Sequence, residues 1–553
     1  MPTGARLIVD LLERRGVELC FGLPGVHNLA LWEALRDSSI RLVGVRHEQA
    51  AAYAADGYAR ATGRLGVALT TTGPGAANTL AAVGEAWAAR SPVLVIATDI
   101  PSTLRRPGVY RGVLHETTDQ AAMFAPIVKA AHRALSREAV APAAEAAFAD
   151  AAAPPHRPVY LEVATDLLGG EVEPAGPEAA SDRGEADGRI VALRATDGAL
   201  GDAAARLAAA DRPLIWAGTG ARDAGAQLGA LADRLAAPVL TTYGAAGVLP
   251  PSHPCLVGLP AHVAPAGALW DEADVVLAVG SDLDGVQTQN FAMPQPATLV
   301  AVNLDREDAG KNYGPDVMIE GDAARVLTAL ADRLDGGPRP DGGHERLIDR
   351  LRAVRADACA ALDSRALRFL DAMRFALPDG AVVVADMCIP GYWLGGFYTP
   401  PKPRRLQIPL GWGTLGYAFP AALGAALADT GPAVAVVGDG GFLFGCGELA
   451  TVAQERIPLT TVIVDDGGYG MLRYDQDMSG EERYGVDLDT PDFPALAAAF
   501  GIRAEQVDGL EDAFGEALAR HVAEPEPSVL VVRTPDSLVP PPNTSPNWYR
   551  RRG

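Results

Sequence analysis

VVGDGGFLFGCGELATVAQERIPLTTVIVDDGGYGML, residues 436–472, reads as a strand, a glycine turn, a helix and a second strand. The apolar run ends at Val437, and Gly438-Asp439-Gly440-Gly441 turns the chain into a helix, so backbone N–H groups of the turn and the helix start converge on one point. A phosphate fits there. Asp466 closes the next apolar run, 27 positions after Asp439. Adjacent parallel strands put both carboxylates at one sheet edge, where ligands of open α/β sheets bind. Two hard oxygen donors beside a phosphate cradle make a Mg²⁺ site, with diphosphate and water completing the octahedron.

Outward from this stretch the same alternation fills the chain. VLVIA (93–97), VVLAV (275–279), VVVA (382–385) and VAVV (434–437) are continuous apolar runs separated by Ala-rich helical stretches. Strands of that kind belong to parallel sheets buried on both faces. Residues 170–190 and 335–343, rich in Gly, Pro and charge, read as linkers and divide the chain into 1–170, 190–335 and 345–553. The expected fold is α/β, with three doubly wound parallel-sheet domains.

The first and third segments read as two copies of one domain, because four stretches match in the same order. VELCFGLPGVHNLALW pairs with AVVVADMCIPGYWLGG, and HEQAAAYAADGYARATGRLGVALTTTGPG with GTLGYAFPAALGAALADTGPAVAVVGDG. SPVLVIATD pairs with IPLTTVIVDD, and RPVYLEVATD with EPSVLVVRTPD. Counted back from Gly75 and Gly440, Glu48 and Gly413 each lie 27 positions upstream and are expected to be equivalent. The middle segment, with PLIWAG, VLTTYG, DVVLAVG and TLVAVNLD, reads as Rossmann-like, but AGTGARDAG lacks a full G-x-G-x-x-G.

At 553 residues the chain is too long for a single binding module, since ~150 residues make a domain. Its 48% hydrophobic and 21% charged residues exclude a disordered chain. A net charge of −22 argues against nucleic acid or an anionic membrane surface as partner, so backbone N–H groups or a metal must hold any bound anion. Five scattered cysteines without a CxxC point to a reducing compartment. The chain start lacks the features of a signal peptide and no apolar run reaches ~18 residues, so a cytoplasmic protein is expected.

The GDG turn followed 27 positions later by a second oxygen ligand resembles the thiamin diphosphate motif of the acetolactate synthase, pyruvate oxidase and benzoylformate decarboxylase family. RHEQAAAYAADGYAR (46–60), TTTGPGAAN (70–78) and GWGTLGYAFPAALGAALA (411–428) follow that family's order. The resemblance implies a pyrimidine-binding first domain and a diphosphate-binding third domain. It also implies that Glu48 hydrogen-bonds the aminopyrimidine and drives its tautomerisation, so that the ring's imino group can deprotonate the thiazolium C2. Gly413 would offer a carbonyl to the exocyclic amine, and Leu415 would be the wedge that bends the cofactor. Asp439, Asp466 and the carbonyl of Gly468 would ligate the metal. Gly438, Gly440, Gly441, Cys388, Ile389 and Met471 would line the cofactor. Val26, His27, His115, Met471, Leu472 and Tyr474 would form the substrate pocket, with His115 in proton transfer.

Several residues depart from the family pattern. Asp466 stands where the family usually has Asn, and Cys388-Ile389-Pro390 where many relatives have Gly-Gln-His. The stretch 280–285 (GSDLDG) lacks the arginines that accompany FAD in acetolactate synthases, so FAD is not expected. The resemblance implies a carboligase that decarboxylates a 2-oxo acid such as pyruvate and passes the acyl carbanion to an aldehyde or ketone. The alternatives are a 2-oxo acid decarboxylase that releases an aldehyde and, from another class, a non-catalytic regulatory or assembly subunit. A homodimer or homotetramer is expected, because in relatives the facing first and third domains come from different subunits.

Overall fold

The computed structural model describes residues 1–173, 196–334, 343–409, 411–534, 537–544 and 546–550. Most of the two expected linkers therefore lies outside the described residues. Within them the chain forms three wholly parallel sheets. The first holds β1 (Leu19–Gly22), β2 (Arg41–Gly44), β3 (Gly66–Thr70), β4 (Val93–Asp99), β5 (Ala130–Ala134) and β6 (Val159–Ala164). The second holds β7 (Pro213–Ala217), β8 (Val239–Thr241), β9 (Val275–Val279), β10 (Leu299–Asn303) and β11 (Val317–Glu320). The third holds β12 (Val382–Ala385), β13 (Leu406–Gln407), β14 (Ala433–Gly438), β15 (Leu459–Asp465), β16 (Arg503–Asp508) and β17 (Ser528–Arg533). The central strands β3, β4, β6 and β15 are buried along their whole length, because helices cover both faces. Among the described residues no helix is long and apolar enough to cross a membrane.

The first and third sheets have one topology. Their orders, β2-β1-β3-β4-β6-β5 and β13-β12-β14-β15-β17-β16, are the same permutation. The matching helices, Glu48–Thr62 and Ala418–Ala426, pack against each other and join the two domains. Helix Glu48–Thr62 begins at His47, whose side chain accepts from the Gln49 N–H, and ends at Gly63 in the left-handed conformation. Its Ala-rich flanks carry little side-chain bulk, so the backbones come close. A Cβ on Gly57 would lie 1.9 Å from the Ala421 carbonyl oxygen, and one on Gly424 would lie 1.8 Å from that of Ala54.

These reciprocal contacts also set the correspondence between the two copies. Gly57 and Gly424, and Ala54 and Ala421, are separated by the same 367 positions, which places Glu48 opposite Leu415. The expected match of Glu48 with Gly413 is two residues off. Its reference points, Gly75 and Gly440, are not equivalent: β3 is followed by an extended turn before helix Pro74–Ala77, whereas helix Asp439–Leu443 starts directly after β14.

A buried ion cluster seals the same junction. Arg60 pairs with Asp56 at 2.7 Å and with Glu85 at 3.0 Å, donates to the Ile408 carbonyl at 2.8 Å and lies over the Tyr417 ring. Helices of the first domain thereby hold Ile408 and the 411–417 strap of the third. Removing one partner of such a buried pair costs about 3–5 kcal/mol.

Gly→Ala inside a helix ordinarily stabilises by about 0.5–1 kcal/mol. At this crossing the sign is expected to reverse. Gly57→Ala and Gly424→Ala should each lose about 1–3 kcal/mol through overpacking, read as a lower denaturant midpoint. A gain in stability at either site would contradict the close crossing.

Candidate functional site

The carboxyl end of the third sheet builds the first half of the site. Gly438 on β14 is in register with Val464 on β15, so Asp439 and Asp466 leave neighbouring strands at the same edge. They face a cavity of about 230 Å³ that is also lined by Asp386, Gly438, Gly440, Gly441 and Gly468. Cys388, Ile389, Gly413, Leu415, Met471 and Leu472 complete its walls. Tyr474 does not line it, although it sits on the same helix, Gly470–Ser479.

Glycines are required around the carboxylates for space. A Cβ on Gly470 would lie 2.3 Å from Asp466 Oδ2, and one on Gly440 would lie 2.6 Å from the Tyr469 ring. Gly413, at φ +62°, and Gly416, at φ +78°, take the left-handed conformation that lets the strap turn over the cavity. Arg473 locks the far side. It donates to the Asp466 carbonyl at 2.7 Å, reaches the Asp466 carboxylate at 3.9 Å and pairs with Asp487 at 2.7 Å.

The electrostatics of this cavity are those of a cation site. Asp439 is fully buried; Oδ1 accepts from the Gly440 N–H at 2.7 Å, while Oδ2 is buried with no hydrogen-bond partner among the described residues. Burial, with the Asp466 carboxylate second, pushes Asp439 up to about 7. Burial pushes Asp466 up to about 6, against the pull of Arg473. Two neighbouring carboxylates with only Arg473 near them, itself shared with Asp487, and one orphaned oxygen suit a divalent ion, and the N–H groups of the glycine turn suit the anion beside it. Burial holds the Cys388 thiol well above its usual range, which disfavours its thiolate.

Two positioning residues escaped the sequence reading. Asp386, at the end of β12, is pushed up to about 6 by burial and accepts from the N–H groups of Met387, Gly416 and Ala418, which ties the strap to the end of β12. The only signal for it is one acid at the end of an apolar run. Glu448 is buried, and its Oε1 accepts from the backbone N–H groups of Arg46 and His47, each at 3.0 Å. It fixes the segment that delivers Glu48, which no local pattern announces.

A second cluster forms in the first domain around the 70–78 turn. Glu48 Oε2 accepts from Asn78 Nδ2 at 2.9 Å, and Oε1 lies beside Gly75. His27 Nδ1 meets Thr72 Oγ1 at 2.8 Å, and the His27 and His115 rings meet edge to face, 5.3 Å apart. His115 has φ +67° and packs its backbone against Gly73; its Nδ1 is buried without a partner among the described residues. Burial, with His115 second, lowers the His27 pKa. Val26, His27, Glu48 and His115 do not line the cavity that holds Asp439 and Asp466. The first-domain cluster and the third-domain cavity are therefore separate in one chain.

The central domain keeps its own glycines busy. A Cβ on Gly218 would lie 2.3 Å from the Gly280 carbonyl oxygen, and Gly280 in turn abuts Gly220, so these glycines serve contact between the β7 and β9 loops. In the 280–285 stretch Asp282 is held by Arg90 at 2.8 Å and Lys311 at 2.7 Å.

Comparison with known proteins matches this geometry along the chain. Residues 2–123 match the N-terminal TPP binding domain of thiamine pyrophosphate enzymes, 200–330 their central domain and 388–532 their C-terminal TPP binding domain. A Pseudomonas aeruginosa protein described as "probable 2-ketoarginine decarboxylase" is 38% identical over 92% of this chain and 90% of its own length. The chain belongs to the thiamine pyrophosphate enzyme family. A protein of Methanocaldococcus jannaschii described as "probable acetolactate synthase large subunit" is 30% identical over 97% of this chain and 93% of its own. The Escherichia coli acetolactate synthase isozyme 1 large subunit is 28% identical over 96% and 94%. As a member of the family the protein is an enzyme dependent on thiamin diphosphate, and the paired first and third domains are its two cofactor-binding domains.

Asp439 and Asp466 bind protons more tightly folded than unfolded, so between the ordinary 3.8 and about 7 the folded protein is the more protonated state. Stability contributed by these groups is present at low pH and lost as pH rises through that window. The metal-free protein should lose a few kcal/mol, read as a falling Tm, between pH 5 and pH 7.5. Millimolar Mg²⁺ should restore it at pH 7.5, and Asp439→Asn should flatten both responses. An unaltered pH slope in that variant would contradict the assignment.

Proposed function

We propose that the protein decarboxylates a 2-oxo acid at a site completed by two copies of the chain, and that it releases an aldehyde. The family's thiamin diphosphate, when bound, supplies a carbanion that adds to the 2-oxo carbonyl and an electron sink for the pair left when CO₂ departs. In this reading Asp439, Asp466 and the Gly468 carbonyl hold Mg²⁺. The Gly440 and Gly441 N–H groups, beside Gly438, hold the diphosphate, and Cys388, Ile389 and Met471 line its path. The Gly413 carbonyl and the Leu415 side chain position the pyrimidine.

The second copy brings Glu48 to that pyrimidine. Asn78 occupies Oε2, which leaves Oε1 as the oxygen that exchanges a proton with the ring. Both half-sites carry apolar side chains that are exposed in one chain, Val26 and Leu114 on the first domain and Trp412 and Phe444 on the third, as surfaces covered by a second copy would. A homodimer is the smallest assembly that satisfies both halves.

The observation that carries the choice of product is the His27–His115 pair on the turn that also holds Glu48. A buried ring nitrogen without a partner, backed by a second imidazole whose basicity burial lowers, could supply the proton that the carbon losing CO₂ takes up. Transfer to an aldehyde or ketone acceptor is the second reading, favoured by full-length similarity to acetolactate synthases. FAD has no place in the proposal, because the 280–285 stretch carries no arginine and its Asp282 is paired with Arg90 and Lys311.

With thiamin diphosphate and Mg²⁺, a panel of 2-oxo acids should yield CO₂ and the aldehyde one carbon shorter. Ligated products alone would overturn the protonation step, and no CO₂ from any 2-oxo acid would overturn the whole reading. Glu48→Gln should keep cofactor affinity and lose about 10²–10⁴-fold in rate. His115→Ala should slow aldehyde release by about 10²-fold, with the cofactor still bound.

A further inference from the structure

We propose that the substrate is a 2-oxo acid whose far end is a cation, a guanidinium or an ammonium group, and that Asp475 receives it. This rests on the reading that the cavity beside Asp439 and Asp466 is where the 2-oxo acid reacts. Helix Gly470–Ser479 leaves the metal loop directly, and its first turn supplies Met471 and Leu472 to the cavity wall. Asp475 lies four residues after Met471 and three after Leu472, so it continues the same helix face by one turn. Tyr392 lines the cavity from helix Ile389–Phe397, and its hydroxyl is pushed up by burial, then by the charges of Cys388 and Asp475; Asp475 itself stands outside the lining, one helical turn beyond Met471.

The charge balance of this helix singles Asp475 out. The other acid on it, Asp477, pairs with Arg483 at 2.7 Å. Across the metal loop, Asp466 and Asp487 share Arg473. Asp475 is half-buried, its carboxyl is raised by desolvation, and among the described residues it meets no cation. Its partner is an amide, Asn547 Nδ2 at 3.1 Å.

Asn547 belongs to a chain end that is itself anchored. The Asn547 N–H donates to the Thr544 carbonyl at 2.7 Å, and the Trp548 ring packs on His262 of the central domain. Arg550 donates from its backbone N–H to Gln289 Oε1 and from its guanidinium to the Gly267 carbonyl. The amide therefore holds the carboxylate in one orientation at a fixed wall. With Nδ2 engaged, Asn547 Oδ1 accepts no hydrogen bond from the described residues and is a second acceptor beside a negative charge.

A carboxylate and an amide oxygen, side by side at the rim of an otherwise apolar wall of Met471 and Leu472, match a group rich in N–H donors and positive in charge. The methylene chain of such a substrate would lie on the two apolar side chains. A short neutral 2-oxo acid would leave the acid unmatched, and an acidic one would be repelled.

The test compares kcat/KM for three 2-oxo acids of equal length, ending in guanidinium, in the neutral ureido isostere and in a carboxylate. The guanidinium compound should exceed the ureido isostere by at least about 50-fold, mainly through KM, with the carboxylate compound poorest. Asp475→Asn should bring the guanidinium-to-ureido ratio to within about 3-fold, and Asn547→Ala should lower it by a smaller factor. Equal turnover of guanidinium and ureido compounds by the unaltered enzyme would overturn the proposal, as would an unchanged ratio in Asp475→Asn. Both outcomes leave 2-oxo acid decarboxylation standing. Release of CO₂ from none of the three, nor from pyruvate, would instead remove the reading on which it rests.

Discussion

The contact between helices Glu48–Thr62 and Ala418–Ala426 sets the geometry of everything around it. Gly57 against the Ala421 carbonyl and Gly424 against that of Ala54 leave no room for a side chain at either crossing point, so the two domain copies can dock in one way only. Arg60 makes that arrangement harder to undo, because sliding the helices would strand its buried charge against Asp56 and Glu85. Glu448 then carries the constraint from the third domain to the residues just before Glu48. The position of Glu48 is thus borrowed from packing against the third domain.

The third domain supplies a different kind of constraint. Asp386, Asp439 and Asp466 are carboxylates drawn into the carboxyl end of one sheet, and burial is the leading cause that raises each of them. Asp386 recovers the cost through backbone N–H donors, whereas Asp439 keeps an oxygen with no partner. A fold that tolerates this becomes more stable when a cation binds, so ligand binding and stability are linked. The net charge of −22 fits the same arrangement, since an anion approaching so acidic a chain needs backbone dipoles or a bound cation.

Much of this was legible in the sequence, for reasons of chemistry. Continuous apolar strands revealed parallel sheets, and the spacing of Asp439 and Asp466 across a glycine turn placed two carboxylates at one edge, where the structure also has them. The repeat of the first domain in the third was legible in order, but its register was off by two, because the glycines used as markers sit in turns of different shape. Tyr474 was grouped with Met471 and Leu472 from adjacency in sequence, whereas a helix sends neighbouring side chains in different directions. Asp386, Glu448 and Asn78 were not legible in any role, because each acts through backbone or side-chain contacts made only after folding. Sequence spacing also cannot show that Glu48 lies outside the cavity that holds Asp439 in the same chain.

That separation is the central claim, and a mixing experiment tests it most directly. Glu48→Gln and Asp439→Asn proteins, each inactive alone, would be mixed under conditions that allow subunit exchange and assayed for CO₂ release. If each site takes Glu48 from one copy and Asp439 from the other, a mixed dimer holds one intact site, and random exchange should recover up to about a quarter of normal activity. No recovery despite demonstrated exchange would mean that both residues serve a site from the same chain.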